Sequence, residues 1–182
     1  MPVYRALSIS PAHPRSSHST RPFIEVFSHL LTCLVFAFDN LIIQHNMEQQ
    51  PTQVLVDIYM PSHPDDPHHW AIFLESASHG DVILQIADDK GERGYYVDDP
   101  VENKKPQRSG RLEACILVGS VAAYNHAMAK ALIQATPVDN DSNTWNCQAW
   151  VLEALNGLQA MDIFVWDKAQ REILVGLRQD WQ

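Results

Sequence analysis

The sequence predicts one α+β domain in which a largely antiparallel sheet packs against a cysteine-bearing helix. Three observations predict it. Short runs of alternating, β-branched residues recur between Gln53 and Gly119, separated by turns rich in Pro, Gly and Asp. From Val121 onward the apolar spacing lengthens from two residues to between three and four, which is the period of a helix face. With 182 residues, 46% of them hydrophobic, the chain is long enough to bury one good core without needing two.

The first 46 residues differ in character from the rest. Residues 1–22 are rich in Pro, Ser, His and Arg and carry no period, whereas Phe23 to Ile43 is strongly apolar. Glu25, His29 and Asp39 interrupt that apolar run, so no stable membrane span is expected, and no small-x-small cleavage site precedes Gln44. Residues 1–46 are therefore expected to be an extension that is disordered, targeting or spurious. Met47 then becomes the expected natural start, and residues 47–182 the folded domain. The expected location is cytoplasmic, with secretion or membrane association through residues 23–43 as the alternative.

Within the domain, QVLVDIYM (Gln53 to Met60) alternates, and Pro61 ends it as a strand before the polar loop SHPDDPH. HWAIFLE (His69 to Glu75) and VILQIA (Val82 to Ala87) read as two further strands, joined by SASHGD into a hairpin. DDKGERG turns the chain into Tyr95 to Val97, and the polar connection DDPVENKKPQRSG leads to the strand LEACILVG, Leu112 to Gly119. Val121, Tyr124, Met128, Leu132 and Ala135 then fall on one helical face, closed by Pro137. After the polar loop VDNDSNT, a second helix aligns Cys147, Val151, Ala154 or Leu155, and Leu158, with Gly157 weakening its last turn. The tail reads as a short strand, MDIFVW, and a final helix.

Charge and cysteine content exclude several functions. The net charge is −9 with histidines neutral, and no basic cluster exceeds the Lys104, Lys105 pair, so nucleic acid is not an expected partner. The three cysteines, Cys33, Cys115 and Cys147, are odd in number and form no CxxC, which disfavours a disulfide scaffold or a thiolate zinc site. No metal or other cofactor is expected. HPDDPHH, His63 to His69, concentrates potential ligands and is a rival metal reading, but its spacing matches no tetrahedral zinc pattern.

The chemistry concentrates in DSNTWNCQAWVLEALNGL. Asn146 is best placed to cap the second helix, which puts Cys147 in its first turn. A thiolate there gains from the positive end of the helix dipole, and amides at the same helix start can donate to an oxyanion. Asp139 and Asp141 oppose that thiolate, and a free cysteine is commonly a small buried hydrophobe. Cys115, within an apolar strand, is expected to be inert. A nucleophilic thiol needs a base. Of the nine histidines, His68 and His69 open a rigid strand and point to opposite faces. His69 shares its face with Ala71 and Phe73, and Trp70 shares the other with Ile72 and Leu74.

HWAIFLE followed by NCQAWV resembles the circularly permuted papain-like thiol hydrolases, related to NlpC/P60 peptidases and similar to the lecithin:retinol acyltransferase-like and PPPDE families. In acyltransferase-type members a strand of the form HWAIY carries the base and a later NCEHFV helix start carries the nucleophile. The stretch from about Gln53 to Leu158 also resembles an uncharacterised family of fungal proteins with the shape HWA-F, a glycine turn, then WNCQ-WV-EAL. The resemblance implies His69 as general base and Cys147 as nucleophile. Acyltransferase-type members carry a further histidine on the next strand, where this chain reads VILQIA, so Gln85 is the implied third residue. Ala149 stands where NCEHFV has a histidine.

The expected function is thus a cysteine-dependent hydrolase or acyltransferase acting on an amide, ester or thioester of an unidentified small-molecule, lipid or peptide substrate. Trp70, Trp145, Trp150 and Asn146 are expected around the substrate groove. The alternative is a non-catalytic binding or structural protein that retains the papain-like fold.

Overall fold

The structure is a computed structural model describing residues 35–37, 41, 50–89 and 92–179. The chain divides into two units, Met1–Ile42 and Ile43–Gln182, and the architecture below is that of the second. The expectations for residues 1–46 lie outside the described residues, apart from 35–37 and 41, which are helical. Among the described residues no helix is long and apolar enough to cross a membrane.

The fold is α+β, as expected. Its strands are β1 (Thr52–Tyr59), β2 (His69–Glu75), β3 (Val82–Leu84), β4 (Ile86–Asp89), β5 (Glu92–Val97), β6 (Val101–Glu102), β7 (Leu112–Val121) and β8 (Phe164–Trp166). The helices are α1 (His126–Gln134), α2 (Cys147–Ala160) and α3 (Lys168–Leu177). Six strands form one sheet in the order β6-β3-β2-β1-β7-β8, and β4 and β5 form a separate ribbon. Every pairing is antiparallel, and β1 lies between β2 and β7.

Strand alternation creates two unequal faces. Val54, Val56 and Ile58 of β1 and Trp70, Ile72 and Leu74 of β2 join Trp150, Val151, Ala154, Leu155 and Leu158 of α2 in the main core. Each Val, Ile or Leu among them stabilises the fold by roughly 1.5–3 kcal/mol through removal from water. The helical stripe read from the sequence, Cys147 through Leu158, is this buried side of α2. On the other face Ala71, Phe73 and Ile83 form a smaller cluster with Leu55, Tyr59 and Val101.

Gly119 fixes the junction of β7 with β8. The β1–β7 register shifts between Val54 and Leu55, and a Cβ at Gly119 would lie 2.2 Å from the Val165 carbonyl oxygen and 2.6 Å from the Phe164 ring. Only glycine permits so close an approach of the edge strand.

Three local expectations need correction. VILQIA is not one strand: it breaks at Gln85, β3 pairing with β2 in the main sheet and β4 turning away to pair with β5. The polar connection after Val97 contains β6 and a 3-10 turn at Pro106–Arg108, because Val82 and Ile83 offer the backbone of their outer edge to Val101 and Glu102. Finally, β7 runs on through Val121 and a 3-10 turn at Ala123–Asn125 delays α1 until His126, which rotates its phase. Tyr124 and Met128 therefore face solvent at 87% and 50% exposure, while His126, Ala129 and Ile133 are buried. His126 Nδ1 lies 3.0 Å from Thr52 Oγ1, and its ring stacks on His79.

Candidate functional site: a thiol and an imidazole on one pocket

The site forms where the first turn of α2 meets the first residues of β2. Asn146, in extended conformation, caps α2: its Oδ1 accepts from the amides of Gln148 at 3.0 Å and Ala149 at 3.3 Å. This is the capping role read from the sequence, and it places Cys147 at the helix start. The Cys147 Sγ accepts from the Trp70 amide at 3.5 Å and donates to the His68 carbonyl at 3.8 Å.

A ring of polar contacts behind the thiol holds this arrangement. Gln148, fully buried, donates through Nε2 to the His68 carbonyl at 2.8 Å and accepts from the Gln179 amide at 2.6 Å. Asn146 Nδ2 donates to the Gln179 carbonyl at 2.7 Å, and the Gln179 side-chain oxygen accepts from the His68 amide at 3.0 Å. The start of α2, the start of β2 and the segment after α3 are thus tied together by amide groups that leave no buried partner unmet.

His69 lies on the face of β2 shared with Ala71 and Phe73, with its ring 6.0 Å from that of Tyr59. As the first residue of the strand it sits at the end of the sheet, where it lines the same pocket as Cys147. Its Nε2 lies 3.1 Å from Gln85 Oε1, and Gln85 Nε2 donates to Asp98 Oδ2 at 3.0 Å. An ionised carboxylate only accepts, so the Asp98 contact orients the Gln85 amide with its oxygen toward the imidazole. His69 must then carry its proton on Nε2, leaving Nδ1 as the basic nitrogen. The strand break at Gln85 belongs to this geometry, since the Gln85 carbonyl also accepts from the Asp98 amide at 3.1 Å.

Electrostatics keep both groups neutral at rest. Burial pushes the Cys147 thiol up to about 11, against the pull of the Trp70, Gln148 and Cys147 amides, and the Asp88 carboxylate adds to the rise. The dipole effect expected from the sequence is outweighed, because a thiolate only 7% exposed loses most of its hydration. The carboxylate that opposes it is Asp88; Asp139 instead accepts from the amides of Asp141 and Ser142 within its own turn. Burial likewise holds His69 below its usual range. The Gln85 hydrogen bond opposes that shift, the Arg111 charge adds to it, and Asp88 and Asp98 work against it.

The pocket has a volume of about 350 Å³, and its lining includes Tyr59, His69, Gln85, Tyr95, Asn146 and Cys147. The three tryptophans expected as groove walls do not line it. Trp70 and Trp150 are core residues at 1% and 0% exposure, and Trp145 is buried behind Tyr95, whose ring meets it edge-on at 5.4 Å. Large apolar rings lose more contact with water in the core than in an open groove, so Tyr59 and Tyr95, with polar tips, take the wall positions.

The histidines of HPDDPHH do not converge. His68 pairs with Glu113 at 2.8 Å and His69 with Gln85, and among the described residues no group of three potential ligands could hold a metal. Asp98, Gln148 and Gln179 escaped the sequence reading. The glutamine inside an apolar strand was a legible signal; its carboxylate partner, across a ribbon that the sequence did not reveal, was not.

No curated protein matches this chain, and no solved structure does. The model of a family of unknown function, DUF6540, matches residues 56–165, a span running from β1 through β8 that contains both His69 and Cys147. That match covers more than half of the sequence, and the chain is a member of the DUF6540 family.

Proposed function

We propose that this protein is a cysteine-dependent hydrolase or acyltransferase of the circularly permuted papain-like type, acting on an amide, ester or thioester carbonyl. The observation that carries the reading is the Asp98–Gln85–His69 chain of hydrogen bonds, which leaves Nδ1 as the basic nitrogen of an imidazole that lines the same pocket as Cys147. The order of a histidine-bearing strand before a cysteine-bearing helix supports the permuted form.

In this mechanism His69 Nδ1 accepts the thiol proton as Sγ adds to the carbonyl carbon. Burial disfavours both thiolate and imidazolium, so proton transfer accompanies attack rather than preceding it. Asn146 occupies the Gln148 and Ala149 amides, which leaves the Cys147 amide as the oxyanion donor at this helix start. The imidazolium returns its proton to the leaving group, and a thioester remains on Cys147. Water or an amine, deprotonated by His69, then attacks that thioester and regenerates the thiol.

The test offers the chain a panel of activated esters, thioesters and peptide amides, followed by mass spectrometry for an acyl adduct on Cys147. Turnover with an adduct, both lost in Cys147→Ser and His69→Ala, is expected. Absence of an adduct with every substrate and with electrophilic acyl probes would sink the proposal. It would favour the second reading, a non-catalytic binding protein, which the 7% exposure of a protonated Cys147 supports.

A further inference from the structure

We propose that Arg111 is an anion-binding subsite of this pocket, and that the substrate carries a carboxylate close to its reacting carbonyl. The inference rests on the thiol-hydrolase reading and adds a substrate class to it. Arg111 lines the pocket together with His69 and Cys147. Its backbone and side chain are both fixed to Met60, just beyond β1: the Met60 amide donates to the Arg111 carbonyl at 2.9 Å, and Arg111 Nε, at 3.1 Å, and Nη2 both donate to the Met60 carbonyl. That clamp engages the side edge of the guanidinium. The end edge, formed by Nη1 and Nη2, keeps its fork geometry for a bidentate carboxylate.

The charge of Arg111 has no carboxylate within ion-pair distance among the described residues, although two lysines are paired: Lys105 with Glu75 and Asp81, and Lys130 with Glu102. Its field reaches the imidazole, since it is one of the influences holding His69 low. Asp66 and Asp88 also line the pocket, and Asp88 comes from β4, on the ribbon side. Those carboxylates repel an anion elsewhere in the cavity and so favour its placement at Arg111. An anchored, pre-organised guanidinium loses little freedom on binding, which is the condition for a specificity contact.

The test compares alkylation of Cys147 by iodoacetate, which carries a carboxylate, with alkylation by neutral iodoacetamide, at about pH 9, where both reagents draw on the same small thiolate fraction and their ratio is independent of it. In Arg111→Gln the iodoacetate rate should fall about tenfold relative to iodoacetamide, the loss expected from one charge-assisted bidentate pair, and Arg111→Lys should restore part of it. An unchanged ratio overturns the subsite and leaves the dyad untouched. If Cys147 resists both reagents, the thiol chemistry fails instead. Arg111 is then judged by NMR titration with glutarate: saturable shifts of the Arg111 Nε and His69 ring signals, absent in Arg111→Gln, sustain the anion site, and no shift overturns it.

Discussion

Cys147 and Cys115 are both free thiols half or more withdrawn from water, yet their surroundings assign them opposite chemistry. Burial pushes both up, Cys147 to about 11 and Cys115 to about 12. Cys115 projects from the middle of β7, away from the face on which its neighbours Ala114 and Ile116 pack, and donates to Asp57 Oδ1 at 2.8 Å. Asp57 is fully buried and also accepts from Tyr59 OH at 3.4 Å. The Cys115 proton is thus held by a carboxylate, which further discourages ionisation. Cys147 instead sits at a helix start, beside amide donors and a pocket that contains a neutral imidazole. Thiol reactivity is decided by where the proton can go, and raised acidity constants alone do not separate these two residues.

The sharpest way to break the comparison is to exchange its members. His69→Ala or Cys147→Ser should reduce turnover of any accepted substrate by about a thousandfold or more, since base and nucleophile act as a unit. Cys115→Ser should leave turnover within about twofold, because Cys115 does not line the pocket. Equal losses in the two cysteine variants, measured as kcat/KM on folded protein, would erase the distinction.

A second effect belongs to the Cys115 side alone. Burial raises Asp57 from 3.8 to about 6, with the Cys115 and Tyr59 hydrogen bonds opposing the rise. A raised carboxyl binds more protons in the folded than in the unfolded state, so its stability contribution is full below about pH 4 and is lost as pH climbs through 6. The loss is roughly 3 kcal/mol at most. Denaturant unfolding at intervals across that window should show this fall in the native chain and a flatter profile in Asp57→Asn. An identical profile in the variant would show that another group titrates there.

The smallest predicted effect concerns Gln85. Gln85→Ala should lower kcat about tenfold by releasing the imidazole from its oriented tautomer. The Gln85 hydrogen bond raises His69, so its removal should also move the acid limb of the pH–rate profile to lower pH. A drop in kcat without that movement points to a purely structural role at the β3–β4 break.

Much of this arrangement was legible locally. The bounds of β2, the Asn146 cap, the stripe Cys147 to Leu158 and the terminal strand and helix follow from alternation, capping chemistry and helical spacing, which depend on neighbours within a few residues. The misreadings share the opposite dependence. Which side of α1 is buried turned on where β7 ends; whether VILQIA is one strand turned on a ribbon partner beyond the next turn; and whether a tryptophan lines a groove or fills a core turned on what packs against it.

The sequence by itself determined the α+β class, the placement of a thiol at a capped helix start and of an imidazole at a strand start, because these are consequences of short-range periodicity and hydrogen-bonding capacity. Tertiary structure alone decided that the thiol and the imidazole share one pocket, that Gln85 and Asp98 set the imidazole tautomer, that Arg111 stands beside them with no carboxylate partner among the described residues, and that burial overrides the helix dipole at Cys147. Desolvation and through-space charge depend on which distant segments meet, and no local pattern of residues encodes that meeting.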